Sequence, residues 1–222
     1  MTTTDAGTPG STTNRFESVQ SVRDALRDVS YLADDGIAGV AYLADRLAKP
    51  VLVEGPAGTG KTQLAKSISE ITDARLIRLQ CYEGLDAASA VYEWNYQRQL
   101  LSIKILEAET QSAEDKERHI FGEEFLLKRP LLEAISLPQP PVLLIDEVDR
   151  ADTEFEAYLL EVLSDFQISI PEFGTVEATT IPFVILTSNG TRELSDALRR
   201  RCLYHYVDFP DFDKELRIIR TR

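Results

Sequence analysis

The stretch VLVEGPAGTGKT, residues 51–62, limits the folds open to this chain more than any other. An apolar β-type run breaks into glycines and ends on a lysine and a threonine. Gly55, Pro56, Ala57, Gly58, Thr59, Gly60, Lys61 and Thr62 together satisfy the pattern G-x-x-x-x-G-K-[ST]. About one chain in a hundred of this length would carry that pattern by chance at average residue frequencies, and the strand before it and helical pattern after it make it more specific. The glycines let backbone N–H groups turn inward around a β-phosphate. The helix that follows presents its positive end to the same anion. Lys61 is placed to reach the β- and γ-phosphates as a point charge, and the Thr62 hydroxyl to give Mg²⁺ an oxygen ligand.

The flanking sequence repeats the strand and helix alternation. Apolar residues recur at three- and four-residue steps from Phe16 to Val29, and again through Val40, Leu43 and Leu47, which predicts two helices leading into the first strand. Further β-type runs occur at 75–80, 141–147, 182–188 and 203–209. Three of the five runs are continuously apolar, as parallel strands covered on both faces are. Helical patterns lie at 61–71, 131–135, 153–165 and 193–200. The expected fold is α/β: a doubly wound, mostly parallel five-stranded sheet of the P-loop NTPase type.

Two segments exceed that plan. Residues 81–140 are far longer than a crossover helix and imply an insertion, whose middle, 107–124, holds seven acidic against two basic side chains and reads as a solvated helical face. ISIPEFGTVEAT (168–179) sets Pro and Gly between two β-prone runs, which predicts a hairpin ahead of the fourth strand. Residues 1–14 have almost no apolar content to offset their ordering entropy and read as a disordered tail.

Composition narrows the function classes. With 24 Lys+Arg against 37 Asp+Glu the formal charge is −13, so the mean field repels nucleic acid and anionic lipid. The two cysteines, Cys81 and Cys202, show no metal or disulfide spacing and read as packing residues of a reduced, cytoplasmic protein. No apolar run approaches the roughly 20 residues that span a bilayer, so no membrane role is expected.

The second half of a phosphate site is written in VLLIDEVDR. Its apolar run delivers Asp146 and Glu147 to the C-terminal edge of a strand, where open parallel sheets hold their ligands. Asp146 suits a metal shell, and Glu147 can reach past the metal to a water in line with a γ-phosphate. A binding switch needs only the first acid; the second argues for hydrolysis. Asn189, after PFVILTS, falls at the same edge and could bond that water or the γ-phosphate. ALRRRC ends a helical pattern in three arginines, Arg199, Arg200 and Arg201, whose plain reading is as dipole partners.

Together these stretches resemble the AAA+ ATPases, and within them the MoxR family, from about residue 30 to 210. GPAGTGKT looks like the Walker A, VLLIDEVDRA the Walker B, VILTSNG the sensor 1 strand and LSDALRRRC the helix carrying an arginine finger. The long segment after the second strand resembles that clade's helix-2 insertion, and 168–179 its pre-sensor 1 hairpin. YEWNYQRQLL and EEFLLKRPLLEA look most like the branch associated with maturation of carbon monoxide dehydrogenase and related molybdenum hydroxylases. The resemblance implies ATP and Mg²⁺ as ligands, Glu147 as catalytic base, Asn189 as sensor 1, and Arg201, with Arg200 as runner-up, as a finger acting on a neighbour's nucleotide. A finger in trans implies a ring, usually a hexamer. Gln80 would hold Glu147 inactive until a partner arrives. A co-chaperone with a von Willebrand factor A domain and a metalloenzyme client are further implied. The resemblance makes 15–210 the nucleotide-binding core and 211–222 the start of a helical lid whose remainder the chain lacks.

Two other function classes fit parts of the pattern. RRC also resembles the finger motif of clamp loaders, against which the acidic charge speaks. A nucleotide-binding module that does not hydrolyse would follow from the missing lid. No N-K-x-D motif for guanine occurs.

Overall fold

The computed structural model describes residues 14–106 and 112–221. The chain begins with α1 (Val19–Asp28), α2 (Asp35–Leu47), β1 (Val51–Glu54), α3 (Lys61–Ile71) and β2 (Leu76–Gln80). Next come α4 (Ala87–Ala90), β3 (Tyr92–Trp94), α5 (Tyr96–Leu106), α6 (Ala113–Ile120), β4 (Leu126–Lys128) and α7 (Pro130–Ser136). The last part holds β5 (Val142–Asp146), a 3-10 turn Val148–Arg150, α8 (Thr153–Asp165), β6 (Gln167–Ile170), β7 (Gly174–Glu177) and β8 (Phe183–Ser188). It closes with α9 (Asp196–Arg199), β9 (Leu203–Tyr206) and α10 (Phe212–Thr221).

The main sheet has the order β2-β5-β8-β1-β9, and every neighbouring pair is parallel rather than mostly so. Alternate residues feed two cores. Leu52, Leu143, Ile145, Val184 and Leu186 pack with Leu131, Ile135, Phe155 and Leu198 on one face. Val51, Val53, Val142, Leu144, Phe183 and Ile185 pack with Leu26, Ile37, Ala41, Leu64 and Ile68 on the other. Helices on both faces explain why these strands read as unbroken apolar runs. Truncating any of these buried leucines or isoleucines to Ala costs about 2–5 kcal/mol.

The second helix starts earlier than its apolar spacing indicates. Asp34 accepts from the Ile37 N–H at 2.9 Å and caps it, and Gly36 lies inside it where a Cβ would come 2.8 Å from His205 Cε1. The helical pattern of 193–200 shrinks to Asp196–Arg199, because the backbone before it bonds to buried carboxylates instead. The expected insertion carries an unforeseen two-stranded antiparallel sheet, β3 with β4, and the expected hairpin is β6 with β7. Short strands of three residues are too brief for period-two alternation to register. Residues 1–13 of the expected tail, and 107–111 of the acidic segment, lie outside the described residues. In α6 the side chains of residues 114–120 are exposed or half-buried. Among the described residues no helix is long and apolar enough to cross a membrane.

The register brings four strand ends to one edge. Glu54 pairs with Ser188, Gln80 with Asp146, and Ile145 with Leu186, so Gly55, Glu147 and Asn189 leave the sheet side by side.

Candidate functional site

Gly55 is where the loop after β1 passes closest to another strand's backbone. A Cβ there would lie 1.9 Å from the Val207 carbonyl oxygen. Gly58 and Gly60 take φ of +86° and +88°, values that side chains with a Cβ resist. Gly60 then caps α3, whose first turn holds no acidic residue, so the positive end of that helix opens onto the loop. Lys61 is 7% exposed, and its Nζ donates to the carbonyls of Gly55 at 2.6 Å and Pro56 at 2.7 Å. Burial lowers its pKa, against the pull of Asp149, Asp146 and Glu147. The Thr59 hydroxyl donates to the Pro56 carbonyl at 3.0 Å and braces the loop from within.

Asp146 is buried and four side chains converge on this corner. Thr62 Oγ1 donates to Asp146 Oδ1 at 3.0 Å and Thr187 Oγ1 to the same oxygen at 2.5 Å. Arg78 Nη2 lies 2.6 Å from Asp146 Oδ2 and 2.5 Å from Gln80 Oε1. Gln80 Nε2 in turn donates to Glu147 Oε2 at 3.1 Å, an oxygen that Arg150 also reaches at 3.1 Å. Glu147 itself sits in the left-handed region at φ 55°, with its N–H held by Thr187 Oγ1 at 2.9 Å. That backbone conformation is uncommon for a residue with a Cβ and costs about 1–3 kcal/mol, and such outliers cluster at functional sites.

Asn189 follows β8, and its N–H donates to Asp149 Oδ2 at 3.2 Å. Thr191 adds its N–H at 2.9 Å and its hydroxyl at 2.6 Å to the same oxygen. Burial alone would raise the Asp149 pKa, but the bonds from Thr191 and Asn189 prevail and lower it. Lys61, Thr62, Asp146, Glu147, Thr187 and Asn189 thus line one cavity of about 330 Å³. Thr62 and Asp146 offer hard oxygen atoms suited to Mg²⁺, and the glycines at 55, 58 and 60 leave room for phosphate beside them. Among the described residues no cluster of three or more His, Cys, Asp or Glu side chains is placed to hold a metal.

A second cavity of about 190 Å³ adjoins this one across Gly58, Gly60 and Gln63, and its outer wall includes Tyr31, Leu32, Ile37, Val207, Pro210 and Ile218. Ser30, Thr59, Gln63, Asp208 and Lys214 complete a mixed lining, whose apolar side beside the phosphate loop fits a flat heterocycle such as a base. A separate cavity of about 540 Å³ lies between Ile71–Arg75 and Leu137–Pro140, shares no residue with the phosphate loop, and carries none of this chemistry.

The three arginines stand apart from the site. Arg201 Nη1 donates to the Ala197 carbonyl at 2.9 Å and its Nε to Ser164 Oγ, so this side chain is tied to α8 and α9. Arg200 is exposed, and its Nε donates to the Asp196 carbonyl at 3.1 Å. Arg199 lies over the Tyr204 ring at 5.9 Å. Burial pushes the Cys81 and Cys202 thiols up to about 12, as packing residues require.

Sequence reasoning missed Arg78, Thr187, Asp149 and the apolar cavity. Asp149 alone had a local signal, a third acid three residues after Asp146.

Comparison with known proteins gives a family and a fold likeness. A family model described as AAA domain (dynein-related subfamily) matches residues 50–202. An uncharacterised protein of Staphylococcus aureus strain bovine RF122 / ET3-1 is 31% identical over 183 residues, 79% of this chain and 62% of that protein. One of strain USA300 is 30% identical over the same span. The chain therefore spans less than two thirds of the length of these relatives. A crystal structure of a candidate ATPase from Cytophaga hutchinsonii superposes with a TM-score of 0.53 at 19% identity, covering 91% of this chain and 56% of that one, a likeness of fold.

Proposed function

The chain belongs to the AAA domain family of the dynein-related subfamily, with the α/β fold of an AAA+ large subdomain, and on that premise we propose that it binds ATP with Mg²⁺ and hydrolyses the γ-phosphate. The observation that carries the reading is the convergence of Lys61, Thr62, Asp146, Glu147 and Asn189 on one cavity beside the N-terminus of α3.

In this reading the loop N–H groups and Lys61 hold the phosphates, with Lys61 exchanging the Gly55 and Pro56 carbonyls for phosphate oxygens. Thr62 and Asp146 hold Mg²⁺, which when bound neutralises charge on the β- and γ-oxygens. Glu147 accepts the proton of the attacking water, and Asn189 orients that water or the γ-phosphate. Gln80 and Arg150 hold the Glu147 carboxylate meanwhile and must yield for it to act. The apolar cavity around Tyr31, Ile37 and Ile218 receives the adenine.

The reading extends to assembly. None of Arg199, Arg200 and Arg201 lines the cavity beside Lys61, which supports a finger, Arg201 or Arg200, acting on a neighbour's nucleotide in a ring, hexameric by family analogy. The sequence resemblance to the MoxR family supports a cytoplasmic remodelling chaperone that works with a von Willebrand factor A partner on a metalloenzyme, possible clients being carbon monoxide dehydrogenase and its relatives.

The test is phosphate release by the parent chain and by Glu147→Gln. The variant is expected to bind ATP as the parent does and to turn it over about 100-fold more slowly or worse. Equal turnover by the two sinks the hydrolysis assignment.

A further inference from the structure

Two of the almost wholly buried carboxylates outside the proposed catalytic set face the same seven-residue segment, 189–195. Asp149 is 3% exposed and sits in the turn after β5, while Glu156 is 1% exposed and sits on α8. Asp149 Oδ2 takes three donors from residues 189–191, and its other oxygen, Oδ1, is buried with no hydrogen-bond partner among the described residues. Glu156 Oε1 takes Arg192 Nη2 at 2.6 Å, and Oε2 takes the Ser195 N–H at 3.0 Å. Arg192 Nη2 also donates to the Ala151 carbonyl at 2.7 Å. The segment from Asn189 to Ser195, just before the arginines, is thereby bonded to residues 149–156 at Asn189, Thr191, Arg192 and Ser195.

A buried carboxylate with one oxygen unpartnered is costly, and an aliphatic side chain could fill the same space without that penalty. Packing therefore does not explain Asp149. Its three donors come from one loop, and two are backbone N–H groups that would otherwise lack partners in a turn, so what the carboxylate supplies is the conformation of that loop. The loop carries Asn189 into the cavity of Lys61 and Glu147. α9 follows directly, with Arg199 N–H bonded to the Ser195 carbonyl at 3.0 Å, so the second carboxylate fixes the start of the helix that ends in the arginines.

We infer that Asp149 is a positioning residue for Asn189, and that with Glu156 it makes residues 189–199 a single braced connection between the γ-phosphate end of one site and the arginines presented to the next. The positioning of Asn189 matters for turnover only if the hydrolysis reading above holds; the bracing does not depend on it.

The experiment uses the full 222-residue chain and four variants: Asp149→Ala, Asp149→Asn, Thr191→Val and Asn189→Ala. Hydrogen exchange is followed by mass spectrometry with and without MgATPγS. Asp149→Ala is expected to speed exchange in 189–191 about tenfold, with peptides from β5 unchanged. It is also expected to abolish any MgATPγS-induced protection of 196–201. Asp149→Asn keeps an acceptor oxygen for the same donors and restores parent exchange. Thr191→Val, which removes one donor and keeps the fold, shifts exchange in the same direction by less. In turnover, Asp149→Ala lowers kcat about tenfold or more with the KM for ATP unchanged, and the double variant with Asn189→Ala is no slower than Asn189→Ala alone. Parent-like exchange of 189–191 in Asp149→Ala, or additive losses in the double variant, overturns the inference. If the parent turns over no ATP, the hydrolysis reading fails and the exchange results still decide the bracing.

Discussion

Gln80 Nε2 donates to Glu147 Oε2 at 3.1 Å, so the side chain at the end of the edge strand β2 holds the carboxylate proposed to activate water. Removing that restraint leaves the Glu147 carboxylate held by Arg150 alone. Gln80→Ala is expected to raise the basal turnover of the isolated chain about two- to tenfold, the range of one hydrogen bond. Steady-state phosphate release checks it, and a fall in rate would mean that Gln80 positions Glu147 for attack instead of restraining it.

Arg78 shares Asp146 with Thr62 and Thr187, contacting Oδ2 at 2.6 Å. Its guanidinium is half exposed, so the pair adds little stability, yet it puts a fixed positive charge where a divalent cation would bond. Arg78→Ala is expected to lower the Mg²⁺ concentration at half-maximal turnover about threefold or more, read by titrating Mg²⁺ at fixed ATP. An unchanged midpoint would dissociate Arg78 from the metal position.

Ile218 of α10 forms part of the apolar wall beside the phosphate loop. Ile218→Asp puts a charge against the proposed adenine and is expected to weaken ATP and ADP alike by about tenfold. Equal loss for both is the diagnostic, because the wall lies away from the γ-phosphate side. Fluorescent-nucleotide displacement measures it, and unchanged affinities would move the base elsewhere.

His205 gives the pH dependence. Burial lowers its pKa below the ordinary 6.5, with Asp34 opposing and Lys214 assisting. The folded state thus favours the neutral ring, and on acidification the unfolded chain takes up the proton first. The stability this implies is present above about 6.5 and is lost as pH falls through the lowered folded value. Tm measured from about pH 7.5 down to about 5 is expected to fall for the parent and to flatten for His205→Gln.

The legible parts of this protein are those encoded within a few neighbouring residues. The phosphate loop was readable because its chemistry is contiguous: glycines at 55, 58 and 60 serve one turn, and Lys61 and Thr62 begin the helix that follows it. Asp146, Glu147 and Asn189 were readable because each ends an apolar run, and such runs in a parallel sheet finish at a common edge. The helix expected over 193–200 formed only at Asp196–Arg199, half of its length, since propensity says nothing of the Glu156 carboxylate that captures the Ser195 N–H.

The sequence by itself determined the alternation of strand and helix, the double burial of the sheet and the identity of the loop and strand-end residues that meet at one cavity. Those follow from periodicity and from the backbone freedom of glycine, which are local properties. Only the tertiary structure decided that Arg78 and Thr187 meet on Asp146, that Asp149 clamps the Asn189 loop, and that Tyr31 and Ile218 wall the same pocket. Those pairs are separated by tens to more than a hundred residues. A polar side chain takes whichever partner the strand order and register bring within about 3 Å, and no repeat along the chain carries that order.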